Sequence, residues 1–260
     1  RHARKAVPTN LFPGLAPPRD PRPPKELFAA FGHKLALLPD YSETMNGATG
    51  NEYQPLQSGG TPLAEIVAMG GSRASIEFGC VLPERSAGAI LNTKFAVPNH
   101  RIPWPVGMKA TDRFLALLAG LAATTVPEPL AKERGRLLDA YIDGHKTVFG
   151  KRGVIYGEED FVIGLAGFLC EIGVVPALCA TGGRSGKFEA ALREAVPELP
   201  ADAVVLDKCD FATVAELAPD LNPDFLLGNS KGYSLARKLD IPLIRVGFPI
   251  HDRIGAQRLH

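Results

Sequence analysis

Residues 152–180 read RGVIYGEEDFVIGLAGFLCEIGVVPALCA. RGVIYG and VVPALCA are short apolar runs, and EEDFVIGLAGFLCEIG between them places apolar residues at helical spacing and stops at Gly173. Strand, helix and strand in that order form a βαβ unit, whose parallel strands need apolar cover on both faces.

The alternation continues to the end of the chain. GKFEAALREAV (186–196), DFATVAELA (210–218) and GYSLARKLD (232–240) predict helices, and DAVVLDKC (202–209), DFLLGN (224–229) and IPLIRVGF (241–248) predict strands. Alternation this regular predicts an open, doubly wound α/β domain.

Upstream, residues 5–42 predict a strand, a proline-rich loop, a short helix from about Pro24 to Phe31 and a strand around Lys34 to Leu38. Thr61 is expected to cap a helix over PLAEIVAMGG, stopped by Gly70 and Gly71. ASIEFG (74–79) alternates like a strand, and ERSAGAILNTKFAVP (84–98) follows as a helix. Two longer helical segments, 108–125 and 130–150, flank a VPEP break. In the second, Leu130, Leu137, Leu138, Tyr141 and Ile142 form a stripe expected to pack one face. The expected organisation is α/β: two Rossmann-like doubly wound domains with mainly parallel sheets, joined by a helical bridge. The boundaries fall at 1–107, 108–150 and 151–260, the last domain truncated.

Composition narrows the function. The chain has 260 residues, 45% hydrophobic, enough for a real core in each domain. Its net charge of +1 comes from interspersed acids and bases, so no basic face marks a nucleic-acid partner. No apolar run approaches the roughly 20 residues of a spanning helix, and the N-terminus lacks a signal-peptide core, so no membrane partner is expected and the cytoplasm is the expected compartment. Cys80, Cys170, Cys179 and Cys209 have no CxxC spacing and no histidine at ligand distance. They are expected to be buried, reduced and structural. The opening RHARKAVPTN, without an initiator methionine, and the stop at IGAQRLH suggest a piece of a longer polypeptide.

The candidate motifs each have a structural reading. TGGRSGKF (181–188) has a Gly-Lys pair before a helix, as a phosphate loop does. Thr181 stands where the first glycine belongs, however, and Phe188 replaces the hydroxyl that would hold Mg²⁺. A flexible glycine-rich loop is the better reading. GNSKG (228–232) permits a tight turn, with Asn229 or Ser230 capping the helix from Tyr233 and free N–H groups that could meet an anion. Without GxGxxG a capped turn is favoured over a cofactor contact. GEED (157–160) suits the dipole of a helix start as well as it suits a metal. His145 and His251 have no nucleophile fixed by spacing. No catalytic, cofactor-binding or metal-ligating residue is assigned.

The order of several blocks is more telling than any one motif. LLPDYSETMNG, GGTPLAEI, PVGMKATDRFL, KERGRLLDAYIDGHKTVFGKR, VIYGEEDFVIGLAGFLCEIG, PDFLLGNSKG and IPLIRVGFPIHDR together resemble the β-type subunit of nitrogenase component 1 and its relatives, from about Asn10 to the end. The resemblance implies an oxidoreductase subunit that supports ATP-coupled, multi-electron reduction of N2 or another small substrate through an iron–sulfur relay. It implies an iron–sulfur cluster in the complete complex, a metal cofactor in the partner subunit, and MgATP on a separate reductase. The implied partners are an α-type component 1 subunit, a second copy of this chain and a dinucleotide-dependent iron–sulfur reductase. The family's N-terminal cluster-binding domain has no counterpart here, so no cluster ligand is carried over. The segments 156–173 and 179–188 point toward an alternative-metal or nitrogenase-like class. The rivals are a scaffold for assembling the iron–molybdenum cofactor and a small-molecule binding module. Asn229, Ser230, Lys231, Arg245, Asp252 and Arg253 are the expected interface or structural-loop residues, because strand ends and corners are where α/β sheets meet ligands or partners. An Asp252–Arg253 pair is the structural alternative.

Overall fold

A computed structural model of the chain describes residues 7–14, 22–40, 55 and 59–253. Two compact units emerge, one within Arg1–Ile102 and Phe114–Pro127, the other within Pro103–Arg113 and Glu128–His260. Each is α/β and built on a parallel sheet.

The first unit runs β1 (Thr9–Phe12), α1 (Arg22–Ala30), β2 (Leu35–Leu37), α2 (Leu63–Ala68), a 3-10 turn (Met69–Gly71), β3 (Ala74–Phe78), α3 (Ala87–Phe95) and β4 (Asn99–Ile102). The strand order is β2-β1-β3-β4, with Thr9 opposite both Leu35 and Ala74. Most of α4 (Met108–Ala122) packs here. Its buried Phe114 ring lies 5.1 Å from that of Phe78 and 6.1 Å from that of Phe28. Where α4 ends, Arg73 donates to Leu121 O at 2.6 Å and the His33 ring nitrogen lies 3.1 Å from Leu118 O. A donor such as Arg73 satisfies an unpaired carbonyl of a helix C-terminus.

Four local expectations are corrected in this unit. Helix α1 starts at Arg22, because prolines are tolerated in a first turn whose N–H groups have no intrahelical acceptor. Thr61 caps nothing: its hydroxyl donates to Leu37 O (2.6 Å) and accepts from Asp40 N (3.1 Å), tying the approach to α2 onto the end of β2. All five residues of β3 are buried, Ser75 and Glu77 included, since a central parallel strand has no solvent face. Strand β4, with the polar sequence NHRI, was not foreseen; it pairs with β3 at the sheet edge and buries only Ile102.

The second unit continues with α5 (Glu128–Val148), β5 (Arg152–Gly157), α6 (Glu159–Glu171), β6 (Val175–Thr181), α7 (Phe188–Ala195), β7 (Val204–Leu206), α8 (Phe211–Leu217), β8 (Phe225–Gly228), α9 (Tyr233–Leu239) and β9 (Leu243–Arg245). The order β7-β6-β5-β8-β9, parallel throughout, is the doubly wound arrangement expected from residues 152–248. Strand β5 buries Gly153 to Tyr156 consecutively, and α6 lays Val162, Ile163, Ala166 and Leu169 onto the sheet. Each such large side chain contributes about 1.5–3 kcal/mol over leaving it exposed. Gly153 lies at a register shift, where a Cβ would come within 2.9 Å of the Phe225 ring.

Helix α5 departs from expectation. Tyr141 meets the Phe168 ring at 6.0 Å, but no residue of α5 is buried, and Leu137, Leu138 and Ile142 are 40–58% exposed. The periodic stripe exists, yet among the described residues nothing covers it. Among the described residues no helix is long and apolar enough to cross a membrane.

Candidate functional site

In the second unit the chain winds outward from β5 through β6 to β7, then returns to the other side of β5 for β8 and β9. The carboxyl ends of β5 and β8 therefore flank a topological switch point, where doubly wound sheets place their ligands. Here that crevice is filled from within. Tyr156, near the end of β5, donates its hydroxyl to Asn229 O at 2.5 Å and stacks edge-on with Phe211 at 4.9 Å. A Cβ on Gly228 would lie 2.6 Å from the tyrosine ring, and one on Gly232 would collide with its hydroxyl. The two glycines of GNSKG make room for Tyr156; Gly232, at φ −71°, has no conformational need to be glycine.

Three of the backbone donors of GNSKG are also spent. Ser230 N donates to Pro249 O (3.2 Å), Lys231 N to the Asn229 side-chain oxygen (3.1 Å) and Gly232 N to Asn229 O (3.3 Å). Ser230 Oγ donates to Pro249 O (3.2 Å) and accepts from His251 N (3.1 Å). These bonds fasten the 246–253 loop to the corner, and Val246 N donates to Gly228 O at 3.0 Å.

Arg245 grips Asp252 with two donors, Nε at 2.9 and 3.0 Å from the two oxygens and Nη2 at 2.5 Å from Oδ2. Its guanidinium lies 5.6 Å from the centre of the Tyr233 ring. The hydrogen bonds and charge of Arg245 hold the Asp252 carboxyl below the usual carboxylate range. Arg253 donates to the Asp252 main-chain oxygen, so the carboxylate's partner is Arg245 rather than Arg253. The structure thus assembles Asn229, Ser230, Arg245, Asp252 and Arg253 into one fastened corner, with the Lys231 side chain exposed at its edge. The corner joins polar atoms that satisfy one another and presents no nucleophile beside a base.

The 181–188 loop follows β6 at the same end of the sheet. Glu159 Oε1 accepts from Ser185 N (3.1 Å) and Ser185 Oγ (2.9 Å), so a carboxylate of the chain stands among the loop's donors. Gly183 N donates to Thr181 Oγ1 and Lys187 N to Ser185 Oγ, both at 3.0 Å. Of the GEED acids, Glu159 therefore serves the loop. His145 lies with Nδ1 3.2 Å from Ile172 O, where α6 ends.

The thiols correct the expectation of four buried cysteines: Cys179 is buried, whereas Cys80, Cys170 and Cys209 are half-buried. All are free. Burial pushes the Cys179 thiol up to about 12 and Cys170 to about 11, and Cys209 donates to Thr181 O at 3.4 Å. Among the described residues no group of three or more His, Cys, Asp or Glu could hold a metal ion. The donor set does not fit an iron–sulfur cluster, which is held by thiolates gathered round it.

Sequence reasoning missed the buried carboxylate of the first unit. Glu77 accepts from Ser86 Oγ, Gly88 N and Asn99 Nδ2, each at 2.8 Å, and from Arg101 Nε at 3.3 Å. Burial would push its carboxyl up. The hydrogen bonds from Asn99, Gly88 and Ser86, with the Arg101 charge, outweigh burial and hold it below the usual range. In ASIEFG a lone acid reads as a solvent-facing position; only the unforeseen β4, which brings Asn99 and Arg101, reveals otherwise.

A family model described as nitrogenase component 1 type oxidoreductase matches residues 3–260. The chain is 32% identical over 247 residues to the nitrogenase molybdenum-iron protein beta chain of Clostridium pasteurianum, covering 95% of this chain and 54% of that one. It is 33% identical over 234 residues to the beta chain of the same name from Frankia alni, covering 88% and 43%. A solved structure of nitrogenase Cp1 at pH 6.5 superposes with a TM-score of 0.92 at 31% identity, covering 98% of this chain and 56% of that chain. A chain of nitrogenase Cp1 at pH 5, at 13% identity and a TM-score of 0.67, shares the fold. The chain spans about half the length of the curated relatives it matches.

Proposed function

The chain belongs to the nitrogenase component 1 type oxidoreductase family, on its beta-chain side, and we propose that it serves as the β-type subunit of a component 1 complex that reduces N2 or another small substrate in an ATP-coupled, multi-electron reaction. The observation that carries the reading is the 0.92 TM-score at 31% identity over 98% of the chain, to a nitrogenase structure. The relatives named above are molybdenum–iron beta chains, which supports that class over the alternative-metal class.

The proposed partners are an α-type subunit, a second copy of this chain and a separate dinucleotide-dependent iron–sulfur reductase that carries MgATP. The uncovered stripe of α5 supports assembly, since exposed apolar surface of that kind marks a contact. The complex works in the cytoplasm. An iron–sulfur cluster in it takes its ligands from residues other than the thiols described here, and the heterometal cofactor sits in the partner subunit. This chain supplies a rigid wall. The corner of Asn229, Ser230, Lys231, Arg245, Asp252 and Arg253 holds the 246–253 loop in one shape for contact with a neighbouring subunit.

The test is anaerobic purification of the full-length protein, tagged at its native locus. Co-purification of a homologous α-type chain, iron in the complex, and ammonia formation with reductase, MgATP and a low-potential donor are expected. An iron-bearing heteromer without turnover would favour the assembly scaffold, and a metal-free single-chain protein would favour a binding module; either would overturn the catalytic reading.

A further inference from the structure

The loop between β6 and α7 is fixed at its base and at its tip by different means. Its base is stitched by main-chain bonds to the segment after β7: Lys208 N donates to Gly183 O (3.0 Å) and Cys209 N to Thr181 O (3.1 Å). Its tip, where Arg184, Ser185, Gly186 and Lys187 are all exposed, is bonded to another element through Glu159 at the start of α6. One carboxylate oxygen takes both Ser185 donors, and the serine hydroxyl in turn accepts from Lys187 N. The fit is steric as well as polar. Glu159 lies so close over Gly183 that a Cβ there would overlap its side chain, and Gly186, at φ +71°, adopts a backbone that L side chains rarely take. Two glycines and a serine in the loop therefore match one acid placed two dozen residues earlier.

We propose that Glu159 and Ser185 form a latch that decides whether the tip of the 182–187 loop is ordered, and so whether Arg184 and Lys187 are presented in one fixed arrangement at the carboxyl end of the sheet. A loop of small residues and exposed charges buries too little apolar surface to order itself, so its local stability comes from the few bonds that hold it. A hydrogen-bonded pair involving a carboxylate is enough to shift such a local equilibrium about tenfold. With the latch broken, the base stays stitched and only the tip opens.

The experiment compares the full-length protein in its native complex with Glu159→Ala and Gly183→Ala variants. Hydrogen exchange of the 184–187 amides and trypsin cleavage after Arg184 and Lys187 are the readouts. Both are expected to rise about tenfold in Glu159→Ala. Gly183→Ala, which displaces the acid without altering it, should have the same effect, and combining the two should add nothing further. Exchange in β5 and β6 is expected to stay at the wild-type level. Tip exchange and cleavage within twofold of wild type in both single variants would overturn the latch. So would a uniform rise across the whole unit, because that reports general destabilisation.

Discussion

The carboxylate of Glu171, the last residue of α6, caps the start of α4: it accepts from Met108 N at 2.7 Å and from Lys109 N at 2.9 Å. A helix N-terminus leaves its first N–H groups unpaired, and this one is satisfied by an acid far away in sequence. Gly107, at φ +82°, has room for no Cβ, which would lie 2.8 Å from the same carboxylate.

Replacing Glu171 by alanine is expected to cost about 1–2 kcal/mol, the usual loss of a helix cap, read as a lower denaturation midpoint. A second readout isolates the charge. Burial, then the nearby Glu171 carboxylate, pushes the Tyr141 hydroxyl up to about 12, and Tyr141 lies 3.3 Å from Glu171. Glu171→Gln should lower the Tyr141 midpoint in an ultraviolet titration; an unchanged midpoint would show that burial alone sets it.

Gly228→Ala should destabilise the second unit more than Tyr156→Phe does. The first drives a methyl into the Tyr156 ring, an overpacking cost of about 1–3 kcal/mol, whereas the second removes one hydrogen bond, worth about 1 kcal/mol. Placing Gly228→Ala in a Tyr156→Leu background should recover part of its cost. Equal costs in both backgrounds would mean that the glycine answers to the Tyr156 main-chain oxygen, which also lies 2.6 Å from such a Cβ, rather than to the ring.

Glu77 makes stability depend on acid. Its folded pKa is lowered, so the stabilisation it contributes is fully present above its ordinary value of 4.5 and is lost as pH falls through the lower folded value. Glu77→Gln is expected to cost about 1–3 kcal/mol at neutral pH, and the gap to wild type should narrow below about pH 4. Denaturant midpoints of the two proteins across pH check this; a gap that widens in acid contradicts the assignment.

The thiols at Cys179 and Cys170 should resist alkylation at mildly alkaline pH in the folded protein, because burial raises them to about 12 and about 11. Both should react once denaturant is added. Mass spectrometry after a timed pulse of iodoacetamide reads the result residue by residue, and rapid native labelling of Cys179 would contradict the placement of β6.

The doubly wound sheet of the second unit was legible in residues 152–248 because short apolar strand runs and the helices between them differ in period and in β-branched content, and both are local properties of the chain. The order of the quoted blocks pointed to the family, and the TM-score of 0.92 supports that assignment. Strand β4 was not legible: NHRI carries one apolar residue, and it became a strand because β3 offered an unpaired edge. The same limit hid Glu77, whose partners Asn99 and Arg101 arrive only with that edge.

At the corner, sequence established that GNSKG turns, since Asn and Gly carry that preference within a few residues, but Asn229 caps a 3-10 turn over Ser230–Gly232 and the helix from Tyr233 starts without a side-chain cap. Why the glycines must be glycine was decided by Tyr156, more than seventy residues earlier and on the neighbouring strand. Likewise Asp252 could have paired with Arg253 or with Arg245 by composition, and only the path of the 246–253 loop delivers its carboxylate to Arg245. Short-range preferences belong to the sequence because they act through neighbouring backbone dihedrals. Steric exclusion and charge pairing act through space, so tertiary structure alone decides which distant residue stands within reach.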